Sequence, residues 1–90
     1  MSPDSILRDL DEIVRQTFPD RDYPDEVGLQ TRFFAELGMA SIDAIVLAEQ
    51  MERHYGRKLP FNTFLAQLRQ RGATDFELGE LVVFLQQHLK

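Results

Sequence analysis

The chain is 90 residues long, without cysteine, 43% hydrophobic and 28% charged, with a formal net charge of −5 from 15 acidic and 10 basic residues. That length supports one core, so residues 1–90 are expected to form a single domain, with no disulfide framework and no thiolate metal site. The acidic balance argues against nucleic acid, whose binders concentrate Lys and Arg, and favours basic protein partners.

No apolar run approaches the roughly 20 residues of a membrane helix. Met1-Ser2-Pro3-Asp4 lacks the basic start and apolar run of a signal peptide, so a cytoplasmic location is expected. From Asp4 to Phe18, Ile6, Leu7, Leu10, Ile13, Val14 and Phe18 recur with helical period, and Ser2 before Pro3 reads as an N-cap followed by proline at the first helical position. Pro19 ends this helix. The stretch Pro19 to Glu26 holds two prolines and four acids without periodicity, which predicts a loop. Thr31 to Leu37 predicts a short helical turn that drops Phe33 or Phe34 and Leu37 into the core, closed by Gly38.

A second long helix is predicted from near Ser41 to Gly56, a C′ glycine. Ala44, Leu47, Ala48, Met51 and Tyr55 give its stripe, with Ile42, Ile45 and Val46 widening the apolar face near its start. After Leu59-Pro60, a shorter helix is expected from Asn62 or Thr63 to Arg71, anchored by Phe61, Phe64, Leu65 and Leu68 and capped by Gly72. Thr74-Asp75-Phe76-Glu77 reads as a capping box opening the last helix, whose stripe is Leu78, Leu81, Val82, Leu85 and Leu89. Gly79 inside it implies close packing or a frayed first turn. No segment alternates as a strand would. The fold is expected to be all-α: a small four-helix bundle, three principal helices plus a short one.

By its residues alone, Ser41 is a serine opening an amphipathic helix, and an N-cap is the plain reading. The wider segment Leu37-Gly38-Met39-Ala40-Ser41-Ile42, continuing to Tyr55-Gly56 and Leu59-Pro60, resembles the attachment site of acyl and peptidyl carrier proteins. Asp75 to Leu85 resembles that family's last helix. The resemblance implies a 4'-phosphopantetheine arm, covalently attached to Ser41, holding intermediates as thioesters. It also implies a phosphopantetheinyl transferase, an acyl- or aminoacyl-loading enzyme and downstream synthases as partners. Ala40 departs from the pattern, because carriers of the fatty-acid type usually have Asp there; peptidyl-type carriers often lack it.

The resemblance further implies docking through Asp43, Glu49 and Glu52, expected on the exposed side of the second helix. Met39, Ile42, Ile45, Val46, Phe61 and Phe64 are candidates for contacts with the arm or its cargo, or for core and a small exposed patch. No catalytic machinery is expected. Ser41 and His54 are 13 residues apart on one helix, roughly 19 Å along its axis, beyond the reach of a dyad. Two histidines without cysteine make no recognisable metal site. With no cysteine and no long heptad seam, a monomer is expected. The competing reading is a non-enzymatic acidic helical adaptor, or a degenerate carrier that is never modified.

Overall fold

The computed structural model describes residues 2–89, which form four α-helices: α1 (Pro3–Thr17), α2 (Ser41–Tyr55), α3 (Phe61–Gln70) and α4 (Leu78–His88). No helix among the described residues is long and apolar enough to cross a membrane. The all-α four-helix bundle is as expected, with α3 the shortest helix.

The Ser2 hydroxyl accepts the Ser5 N–H at 3.2 Å, and Pro3 occupies the first turn of α1, where its missing N–H costs nothing. Ile6, Leu10, Ile13 and Val14 turn the buried stripe of α1 inward. The core closes on Leu47 and Met51 of α2, Phe64 and Leu68 of α3, and Leu78, Leu81, Val82, Phe84 and Leu85 of α4. α1 packs against both α4 and α2. Phe76 lies at the centre of the aromatic contacts, stacked on Phe33 at 4.9 Å and meeting Phe34 and Phe64 edge-on.

The long loop between α1 and α2 is tied down at several points. The Tyr23 hydroxyl donates to the Phe18 carbonyl at 2.7 Å, and the Arg15 guanidinium reaches the Pro24 carbonyl at 3.3 Å. Residues 31–37 form hydrogen-bonded turns rather than a regular helix, with Glu36 N–H on Arg32 O and Gly38 N–H on Phe34 O. They do bury Phe33 and Leu37, with Phe34 half-buried, as their pattern implied. Gly38 then takes a left-handed φ of 68°, which a side chain would oppose.

Two helix starts differ from their sequence signals. α3 begins at Phe61, immediately after Pro60, rather than at Asn62 or Thr63. α4 begins at Leu78, and the Thr74–Glu77 capping box does not form. The reason is a competing partner. Residues 76–78 run antiparallel to residues 31–33, with Phe33 N–H on Phe76 O at 3.0 Å and Leu78 N–H on Thr31 O at 2.9 Å. Asp75 is drawn to this junction, where its carboxylate accepts the N–H groups of Phe34, Ala35 and Phe76. The box shifts one turn onward, so that Glu80 accepts the Glu77 N–H at 3.0 Å. Gly79 packs closely, since its N–H donates to the Leu29 carbonyl at 2.7 Å and leaves no room for a Cβ.

Candidate functional site

The site forms around the start of α2, where a glycine turn delivers the chain to a helix. Gly38 reverses the backbone, Met39 plugs into the core, and Ala40 takes an extended conformation as the N-cap. Ser41 is therefore the first helical residue and not the cap. The cap function is supplied from the third helical position, where the Asp43 carboxylate accepts the Ala40 N–H at 2.8 Å. This corrects the plain reading of Ser41 as an N-cap. Its hydroxyl is solvent-exposed and has no hydrogen-bond partner among the described residues.

The first N–H groups of α2 have no acceptor inside the helix and carry partial positive charge. An exposed hydroxyl at that end suits a phosphodiester bonded to it, because the negative oxygens would lie where the helix favours them. The neighbouring carboxylate does not oppose this. Asp43 is only 7% exposed and is paired with Arg21, whose guanidinium reaches its two oxygens at 2.7 and 3.2 Å. The Arg21 pair and the Ala40 N–H together hold the Asp43 carboxyl below its ordinary range. Asp43 is thus withdrawn from the exposed side of α2, where the sequence pattern had put it. It is the third residue of the helix, and a carboxylate there folds back to cap.

Glu49 is exposed, and Glu52 is half-buried with its carboxylate accepting the Leu59 N–H at 2.8 Å. His54 is exposed at the far end of α2, with its ring 3.7 Å from Asp9. Asp9 also accepts the Tyr55 hydroxyl at 3.0 Å, and burial with that bond pushes the phenol well above its ordinary range. These contacts join α2 to α1 and do not approach Ser41.

A cleft of about 260 Å³ opens between α2 and α3. Ala44, Ile45, Leu47 and Ala48 form its α2 wall, and Phe61, Phe64 and Leu65 face them. Ala44 and Ile45 lie three and four residues beyond Ser41, so they share its face of the helix. Among the candidate contact residues, Ile45, Phe61 and Phe64 line this cleft. Met39 is buried in the core, Ile42 points to solvent at 65% exposure, and Val46 is half-buried outside the cleft. Ile45 is itself 55% exposed, so it forms the lip of the cleft rather than its floor. The floor comes from core residues Phe33, Phe76 and Leu81.

Sequence reasoning missed two features. The first is Arg21, to which the aperiodic Pro19 to Glu26 stretch assigns no role; the available signal is its place as a lone cation between Asp20 and Asp22. The second is the contribution of Ala44 and Ala48, whose small side chains at i and i+4 leave the hollow beside Phe61 and Leu65.

Residues 8–70 match the family described as the phosphopantetheine attachment site. The matched segment runs from α1 through α3, and α4 lies beyond it. The chain is 36% identical over 63 residues to the anthracycline acyl carrier protein DauA of Streptomyces sp. (strain C5), covering 70% of this chain and 74% of that protein. It is 37% identical over 54 residues to the anthracycline acyl carrier protein DpsG of Streptomyces peucetius, covering 60% of this chain and 64% of that one. No solved structure matches it. Phosphopantetheinyl transferases and biosynthetic enzymes are the partners that this kinship implies. The chain belongs to the acyl carrier proteins of the phosphopantetheine attachment site family, and its cofactor is a covalently bound 4'-phosphopantetheine.

Proposed function

We propose that Ser41 is the attachment residue and that the chain carries acyl intermediates of polyketide type between the enzymes of a biosynthetic pathway. The observation that carries this is the state of Ser41: exposed, unbonded, and at the first position of a helix whose nearby carboxylate is turned away and neutralised. The bound arm supplies a terminal thiol on which cargo is held as a thioester. The protein's own residues supply position. Met39 and Asp43 hold the turn on either side of Ser41, and Leu47 and Met51 fix the helix behind it. No base is needed beside Ser41, since the hydroxyl is activated in the pocket of a separate transferase.

The anthracycline carriers among its relatives support acyl rather than aminoacyl cargo. Ala44 and Ile45, on the same face of α2 as Ser41, open onto the cleft between α2 and α3, and we assign that cleft to the arm and the start of its cargo. Its volume of about 260 Å³ falls just below the size of an ordinary small-molecule site. It suits the first part of an acyl chain and not a whole polycyclic product. Glu49 is the free carboxylate at the rim, and we assign to it the salt-sensitive part of docking with basic partner enzymes.

The test is intact mass after incubation with coenzyme A and a broad-specificity phosphopantetheinyl transferase. Wild type gains one phosphopantetheine, and Ser41→Ala gains none while keeping its helical circular dichroism. Ser2 and Ser5 are committed to each other at the start of α1, with their hydroxyls 2.9 Å apart, so neither replaces Ser41. Modification that persists in Ser41→Ala places the arm elsewhere. An unmodified wild type leaves the acidic adaptor or the degenerate carrier.

A further inference from the structure

We infer that Arg21, on the loop before α2, is a positioning residue for loading at Ser41: its guanidinium clamps Asp43 and so pre-sets the turn that presents the serine hydroxyl. The inference rests on Ser41 being the attachment residue. The clamp is a chain of contacts from the end of α1 to the residue before the serine. The Phe18 ring lies 4.2 Å from the Arg21 guanidinium carbon, which stacks over its face. The guanidinium donates through both terminal nitrogens to the Asp43 carboxylate, and one of them also approaches the Met39 sulfur at 3.5 Å. The same Asp43 oxygen accepts the Ala40 N–H. Residues 39, 40 and 43 are therefore each held, directly or through Asp43, by one side chain from a loop nearly twenty residues away. Ser41 is the residue in their midst left free.

The geometry sets what Arg21 can contribute. A two-pronged Arg–carboxylate pair fixes direction as well as distance, which a lysine could not reproduce. The loop that carries it is itself anchored, through Tyr23 to the Phe18 carbonyl and Arg15 to the Pro24 carbonyl. Without the clamp, the turn at residues 39–41 would have to be ordered when the transferase docks, and that ordering would be charged against binding.

The experiment measures kcat and KM for the 90-residue chain as substrate of a broad-specificity phosphopantetheinyl transferase with coenzyme A. It compares wild type, Arg21→Gln, Asp43→Asn, the double variant and Arg21→Lys, at a temperature where circular dichroism shows all of them folded. Each single variant should lose about tenfold in kcat/KM, mostly through KM. The double variant should lose no more than either single, and Arg21→Lys should recover only part. Amide exchange at Ala40 should quicken in Arg21→Gln while α4 is unchanged.

Direct reading of charge by a basic partner predicts a split between the two single variants. Removing the Arg21 cation would then improve KM, and removing the Asp43 anion would worsen it. That split in sign overturns the positioning role. So does a lowered melting temperature with unchanged kcat/KM, which is what a purely structural pair would give. Wild type that is never modified sinks the attachment reading and the positioning role together. A modified wild type with variants indistinguishable from it sinks the positioning role alone.

Discussion

Replacing Gly79 with alanine sets two effects against each other, and the structure decides between them. Gly79 is the second residue of α4, where alanine gains up to about 1 kcal/mol in helix propensity over glycine. Propensity alone therefore predicts a more stable protein. An ideal Cβ at this position, however, lies 2.9 Å from the Leu29 carbonyl oxygen and 3.4 Å from the Leu29 Cβ. The first contact is with backbone that is also bonded to the Gly79 N–H at 2.7 Å, so it cannot yield as a flexible side chain would. Relief requires moving residues 28–30 and stretching that bond. Its loss costs about 0.5–1.5 kcal/mol, and the overpacking about 1–3 kcal/mol. The net expectation for Gly79→Ala is a destabilisation of about 0.5–4.5 kcal/mol, with a fall in melting temperature of roughly 4–8 °C per kcal/mol for a domain of this size. Urea unfolding followed by circular dichroism measures it, with the slope checked so that a changed unfolded state is not mistaken for a changed fold. A midpoint raised above wild type would refute the close approach between α4 and the Leu29 segment.

The core is tested by Leu81→Ala, which should cost about 2–5 kcal/mol because Leu81, on α4, is buried between α1 residues Leu10 and Ile13 and the floor of the cleft; an unchanged midpoint would mean α4 is rotated. Asp75 tests acid stability. Burial raises its pKa, but the N–H groups of Phe34, Phe76 and Ala35 outweigh that and hold it below its ordinary value. A depressed folded pKa gives stability that is present above about pH 4 and lost as pH falls through the folded value. Asp75→Ala should therefore be less stable than wild type at neutral pH and flatter on the acid side of its stability curve. Some slope should persist, since Asp43 and Glu80 are shifted the same way. Glu49→Gln should weaken the salt dependence of transfer to a basic partner and leave stability within about 1 kcal/mol. Glu52→Ala should instead cost about 1–3 kcal/mol, because it strips the Leu59 N–H of its acceptor.

The helices were legible because their signals are local. Ser2-Pro3 opens α1, Gly56 closes α2 with φ of 68°, and the apolar spacings match the buried faces of α1 and α4 closely. What was not legible depended on partners distant in sequence. The Thr74–Glu77 pattern satisfies every local rule for a capping box, yet Asp75 goes to Phe34 and Ala35, some forty residues away. Asp43 likewise follows the exposed-side spacing of α2 with Glu49 and Glu52 until Arg21 draws it under the loop. Ile42 and Ile45 show the converse. They read as a widening of the apolar face, but Ile42 is 65% exposed and Ile45, at the lip of the cleft, 55% exposed. Phe84 also carried no special signal, although it is buried against Phe61 and Phe64.

The Arg21–Asp43 contact has a consequence for the serine. A carrier needs a hydroxyl that is fixed in place yet engaged with nothing, and those demands conflict at a helix start. A serine there ordinarily becomes the cap and loses its freedom by bonding a backbone N–H. In this chain the conflict is resolved by moving the serine one position into the helix and giving the capping work to Asp43. That solution brings a carboxylate close to the proposed site of a phosphodiester, where an unpaired charge would repel it. Arg21 removes the difficulty by neutralising the carboxylate. Ala40 is exposed and contributes only backbone groups to this arrangement. Ala40→Asp should accordingly leave the fold intact. Its effect on loading depends on what the transferase reads. One that relies on a carboxylate before the serine should load Ala40→Asp faster than wild type, with the gain fading as salt rises. A transferase that docks through the apolar Ile42 and Ile45 surface should show no gain. Faster loading that persists undiminished at high salt would contradict the electrostatic account of this position.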